Sequence, residues 1–128
     1  MKLLLPVFTI AMTACAYTVE LTDQEEEILN TDVICKSAQE CKIMWDRANY
    51  FVNTHSGYKI RIANDNLIET HTAIDYSPEL SFRVIKQPLD GGHYKIIPSA
   101  YCNFAFACKP DHTKATIRAK QYIKTGIE

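Results

Sequence analysis

The sequence has 128 residues, 47% of them apolar and 23% charged, with a formal net charge of −1. That length suits one compact domain, and that composition excludes wholesale disorder, collagen-like repeats and a polytopic membrane protein. A charge so near zero writes no general pull toward nucleic acid into the chain, and five cysteines in so short a sequence point to an oxidising compartment.

The chain begins MKLLLPVFTIAMTACA. Lys2 gives a short positive start, and Leu3 to Met12 is a mostly apolar run. A membrane-spanning helix needs roughly 20 apolar residues, so this run fits the hydrophobic region of a secretory signal instead. Two cleavage readings compete. Ala14-Cys15-Ala16 is an A-x-A pattern, which allows a cut after Ala16, and Met12-Thr13-Ala14-Cys15 resembles a bacterial lipobox, in which Cys15 becomes the lipidated first residue. The lipobox is preferred because lipoprotein signals are often this short. Several acyl chains at about 0.8 kcal/mol per buried methylene would hold the protein on a bilayer. Residues 1–14 are then the signal peptide, 15–32 the lipidated cysteine and a tether, and 33–128 a single domain.

The tether holds Glu20, Asp23, Glu25, Glu26, Glu27 and Asp32 and no base, so it is expected to repel itself and stay solvated as a spacer, with at most a marginal helix at Gln24 to Leu29. Without Lys2 and those six acids, the totals of 14 Lys+Arg and 15 Asp+Glu fall to 13 and 9, leaving the domain near +4.

Ser37-Ala38-Gln39-Glu40 predicts a capping box opening a helix. Its core stripe is expected at Cys41, Met44, Trp45, Ala48, Val52 and His55, with Gly57 ending it in a left-handed conformation. After Gly57 the apolar period shortens to two. Tyr58, Ile60 and Ile62 mark one strand, Leu67 to Thr72 a second, and Leu80, Phe82 and Val84 a third. A turn at Asp90-Gly91-Gly92 leads to a fourth strand with Tyr94 and Ile96 on one face, which Pro98 ends or places at an edge. Pro110 suits the first turn of a closing helix packed through Ala115, Ala119, Tyr122 and Ile123. The pattern predicts an α+β fold in two layers: helix, three or four antiparallel strands, helix, with both helices on one sheet face.

Removing Cys15 leaves Cys35, Cys41, Cys102 and Cys108, an even set spaced C-x5-C twice. Zinc pairs usually have two to four intervening residues and redox pairs have two, so structural disulfides are expected. Three pairings are open, and the short spacing favours Cys35–Cys41 with Cys102–Cys108. No HExxH or H-x3-H spacing, P-loop or nucleophile elbow occurs, so no metal, cofactor or catalytic group is assigned. His71 with His93, or acids among Asp65, Glu69, Asp75 and Glu79, would serve an enzyme only if folding brought them together.

Two features suit contact with a partner. Ile43, Arg47 and Tyr50 lie opposite the core stripe of the first helix, an aliphatic, an arginine and an aromatic on a polar face. Phe104 and Phe106 sit in the loop between Cys102 and Cys108, which a disulfide would pre-order for binding if they are exposed and for core plugging if not.

The signal ending in Cys15, CKSAQEC, Trp45 and Ala48, SGYKI, LIETH, GGHYKI and CNFAFAC followed by a helix together resemble a group of small bacterial envelope lipoproteins without assigned activity. The resemblance runs from about Cys35 to Tyr122. It implies export, one α+β domain and no reaction. By bacterial sorting rules, Ala16 rather than Asp after the lipidated position implies the outer membrane. The expectation is therefore a non-enzymatic lipoprotein on the periplasmic face of the outer membrane. It would bind an envelope protein or a cell-wall polymer, not nucleic acid. The alternatives are an inhibitor of an envelope hydrolase, a small-ligand module or, further off, a small periplasmic hydrolase.

Overall fold

The Ser37 hydroxyl accepts from the Glu40 amide at 3.1 Å and opens the longest element among the described residues, α2 (Ala38–His55). The computed structural model describes residue 10, residues 19–104 and residues 107–128. The elements around α2 are α1 (Asp23–Asn30), β1 (Val33–Cys35), β2 (Ile60–Ala63), β3 (Leu67–Thr70), β4 (Ser81–Pro88), β5 (Tyr94–Tyr101) and α3 (His112–Thr125). The strands form one antiparallel sheet in the order β1-β5-β4-β3-β2. The fold is α+β, with α2 and α3 on one face of the sheet.

One buried cluster joins the layers. Phe82, Val84, Ile68, Ile96, Ala100 and Val33 come from the sheet, Met44, Ala48, Phe51 and Val52 from α2, and Ala115, Ala119 and Ile123 from α3. Leu80, Phe82 and Val84, read as one face of a strand, are all buried, but Leu80 precedes β4 and Ser81, expected on the opposite face, is buried as well. Phe51, which the expected stripe omitted, is among the largest fully buried side chains and meets Phe82 edge-on at 5.9 Å between centroids. It lies two turns along from Met44 and about 20° further around the helix, so the apolar face is slightly wider than the stripe drawn for it. His55 stacks on Phe51 at 3.8 Å, and its Nε2 lies 2.7 Å from Glu128.

Several expectations need correction. Among the described residues five strands form rather than three or four, because the three residues of β1 pair with Tyr94 to Ile96. The return bond from the Glu40 carboxylate to the cap is not made among the described residues; Glu40 lines a surface cleft. Gly57 is not left-handed: α2 ends at Ser56 in an extended conformation, and the glycines with positive φ are Gly91, Gly92 and Gly126. Gly57 is instead a close-approach site, because a methyl group there would land on the Glu79 side chain. The half-buried alternation of β2 holds, with Tyr58, Ile60 and Ile62 half-buried and Lys59, Arg61 and Ala63 exposed, but the register shifts between Ile60 and Ile62, so that Ile60 opposes Thr70 and Ile62 opposes Glu69. α3 starts after Pro110, capped by the Asp111 carboxylate, which accepts from Thr113 and Lys114.

β5 runs through Pro98 without breaking. Leu89 N–H donates to His93 at 2.8 Å, so the odd-numbered residues of β5 face β4 and the even-numbered ones face β1. β1 is short, which leaves Pro98 and Ala100 on an uncovered edge. Pro98 has no N–H to leave unpaired, and Ala100 N–H donates to the Thr116 hydroxyl of α3 at 3.1 Å.

The acid-rich segment winds its centre into α1, none of whose residues is buried. Thr22 caps it, and polar contacts set it against α3: Lys114 to Glu25 at 3.1 Å and Lys120 Nζ to the Leu29 carbonyl at 2.6 Å. Asp32, just beyond, meets Lys95 at 3.1 Å. Burial pushes the Lys120 ammonium below its ordinary pKa, with Asp32 opposing the shift.

Candidate functional site

Both disulfides pair in sequence, Cys35–Cys41 with Cα atoms 5.0 Å apart and Cys102–Cys108 with Cα atoms 5.9 Å apart. They sit at opposite ends of the sheet. The first is buried where β1 turns into α2. The second closes a surface loop after β5.

At the second end, the segment between β3 and β4 (residues 71–80) is clamped from two sides. The Tyr58 hydroxyl accepts from Ile74 N–H at 3.1 Å on one side. On the other, Tyr76 N–H donates to the Asn103 carbonyl at 3.1 Å, the Asn103 amide donates to Asp75, and Lys109 N–H donates to Pro78 at 2.9 Å. The stapled loop and the 71–80 segment are therefore one connected surface. β3 and β4 splay apart beneath it. The ladder stops at Glu69–Arg83, and the buried Thr70 hydroxyl takes over by accepting from Phe82 N–H at 3.0 Å.

The splay opens a cleft of about 400 Å³ whose lining includes Glu69, Thr72, Arg83, Tyr101 and Asn103. Glu69 is shared by two guanidiniums, Arg61 and Arg83, which leaves that group of three with one net positive charge. Tyr101, Ile74 and Tyr76 are 52%, 66% and 83% exposed. Tyr76 also holds φ = 63°, a left-handed conformation that a bulky residue adopts only at a cost of order 1 kcal/mol. Its side chain buries little in return, so folding does not account for a tyrosine at this position.

The sequence candidates fall in two places. Phe104 is half-buried in the stapled loop, its carbonyl 3.6 Å from both sulfurs. Phe106 and Cys15 lie outside the described residues. Ile43 and Arg47 line a separate cleft of about 770 Å³ at the first end, together with Ile34, Lys36, Met44 and Lys124. Arg47 is also engaged structurally, because Nη1 donates to the carbonyls of Ile123 and Lys124 at 3.2 and 3.3 Å and so joins α2 to the last turn of α3. Tyr50 is one turn on and exposed, 5.9 Å from Tyr122. These two sets of candidates are not brought together.

His71 and His93 stand at opposite ends of the sheet, just past β3 and just before β5. Asp75 and Glu69 are tied to Asn103 and to the two arginines. Among the described residues no group of three His, Cys, Asp or Glu is placed to hold a metal ion, and no helix is long and apolar enough to cross a membrane. Sequence reasoning missed Ile74 and Tyr76. The available signal was an isoleucine and a tyrosine standing in a segment bounded by Ser77-Pro78, where burial does not call for them. The chain matches no family model, no curated protein and no solved structure.

Proposed function

We propose that this protein is an exported, lipid-anchored binding protein with no catalytic role of its own, held at the periplasmic face of the outer membrane through Cys15 and docking another envelope protein on the surface around the stapled loop. Two short disulfides support an oxidising compartment. The observation that carries the binding reading is the clamped pair of loops, which presents Ile74, Tyr76 and Tyr101 already ordered. A partner then meets aromatic anchors whose ordering cost was met on folding.

A second reading has its own support. The cleft beside Tyr101 combines a ring with hydroxyl, amide and guanidinium groups, a set suited to a cell-wall glycan. A photo-reactive amino acid at Tyr76 or Tyr101, activated in intact envelopes, tests both. A discrete protein adduct, absent when the probe replaces Lys42 on α2, is the expected result. An adduct that digests away with the cell wall favours the glycan, and no adduct at either position overturns the binding surface. Palmitate labelling lost in Cys15→Ala checks the anchor. A chain recovered from cytosol with free thiols would overturn the export reading.

A further inference from the structure

β1 is an edge strand, with no further strand on its outward side. In its pairing with β5, Val33 opposes Ile96 and Cys35 opposes Tyr94. Both β5 residues are even-numbered and so turn their backbone groups toward β1. Antiparallel partners share that state, so Val33 and Cys35 face β5, while the N–H and C=O of Ile34 face the free edge. Asp32, Ile34 and Lys36 are exposed, and they line the cleft of about 770 Å³ that runs beside the strand.

We infer that β1 pairs antiparallel with β1 of a second copy of this chain, about a two-fold axis through Ile34. That register sets Ile34 opposite itself as a hydrogen-bonded pair. It also sets Asp32 of each copy opposite Lys36 of the other, twice by symmetry. Like charges directly opposite on paired strands are destabilising. Here the charges two residues either side of the centre are opposite, so the same arrangement attracts a second copy. Lys36 forms no ion pair among the described residues, whereas Asp32 already meets Lys95 through Oδ1 at 3.1 Å, so in the dimer its carboxylate would be shared between Lys95 and the second copy's Lys36. Ile34 and Ile43 beside it are apolar and exposed on the same cleft. The two sheets would join into one, with self-association and the stapled-loop surface at opposite ends of each copy.

The charge pattern gives a sharp test. In Asp32→Lys, two copies bring Lys against Lys; in Lys36→Asp, they bring Asp against Asp. Each variant alone is monomeric by sedimentation at a concentration where the parent full chain is a dimer, a weakening of at least about tenfold. Mixed one to one, the two variants restore both opposite-charge pairs and form a heterodimer. Ile34→Pro is the second probe. It removes only an N–H that faces the edge, so β1–β5 pairing survives, circular dichroism is unchanged, and dimerisation is lost. A parent chain that stays monomeric, reversals that dimerise like the parent, a mixture that stays monomeric, or a proline variant that still dimerises would each overturn the inference.

Discussion

The two disulfides have the same spacing and do different jobs. Cys35–Cys41 is buried: Cys35 is fully covered, and the bridge fills space between β1, β5 and the first turn of α2. Cys102–Cys108 is only half-buried, packs against the margin of the core, and holds a loop tied to residues 71–80 by polar contacts. The first staple is part of the core and the second shapes a surface. Identical loops constrain the unfolded chain equally, so any difference in their effect measures what surrounds the sulfurs in the folded state.

That difference gives the largest predicted effect on the two ends compared. Closing either loop is worth about 2 kcal/mol by chain entropy. Replacing Cys35 and Cys41 by Ala also leaves a void in the core, adding about 1–2 kcal/mol, whereas replacing Cys102 and Cys108 adds little. Urea denaturation of the two double variants should show this order, and equal losses would break the comparison. In hydrogen exchange, loss of the second bridge should loosen residues 71–80 and leave α2 protected. Next in size is Gly57→Ala, expected to cost about 1–2 kcal/mol because Glu79 must move off the new methyl. In a Glu79→Gly background that cost should shrink, and a double-mutant cycle reads the coupling. Ser37→Ala should cost about 1 kcal/mol through the lost cap, at the first-disulfide end alone.

What the sequence revealed follows from how local each signal is. The cap at Ser37, the buried face of β4 at Phe82 and Val84 and the turn at Asp90–Gly92 are set by neighbouring residues, and each was legible. The sequential bridges were legible for the same reason. β1 was not, because three residues carry no period, and the strand exists only through its pairing with β5. The docking of α1 was equally hidden. Glu25 meets Lys114 and Leu29 meets Lys120 from roughly 90 residues away, and nothing local distinguishes those acids from a solvated run. At the candidate site, the stapled loop could be found by counting cysteines. Tyr76 could not, since its conformation is imposed by the Asn103 carbonyl across a loop-to-loop contact.

The smallest predicted effect separates folding from binding most cleanly. In Tyr76→Gly the left-handed backbone is relieved, while the freer unfolded chain takes back part of the gain, so the protein should become more stable by at most about 1 kcal/mol. A buried aromatic would behave in the opposite way: Phe51→Ala should lose about 3–5 kcal/mol. If Tyr76 is kept for contact, the glycine variant melts at or above the parent temperature and loses its envelope adduct to a probe at Tyr101. A loss of stability in that variant would mean that the ring packs on its own domain, and the contrast between a structural end and a presenting end would then fail at the residue that best exemplifies it.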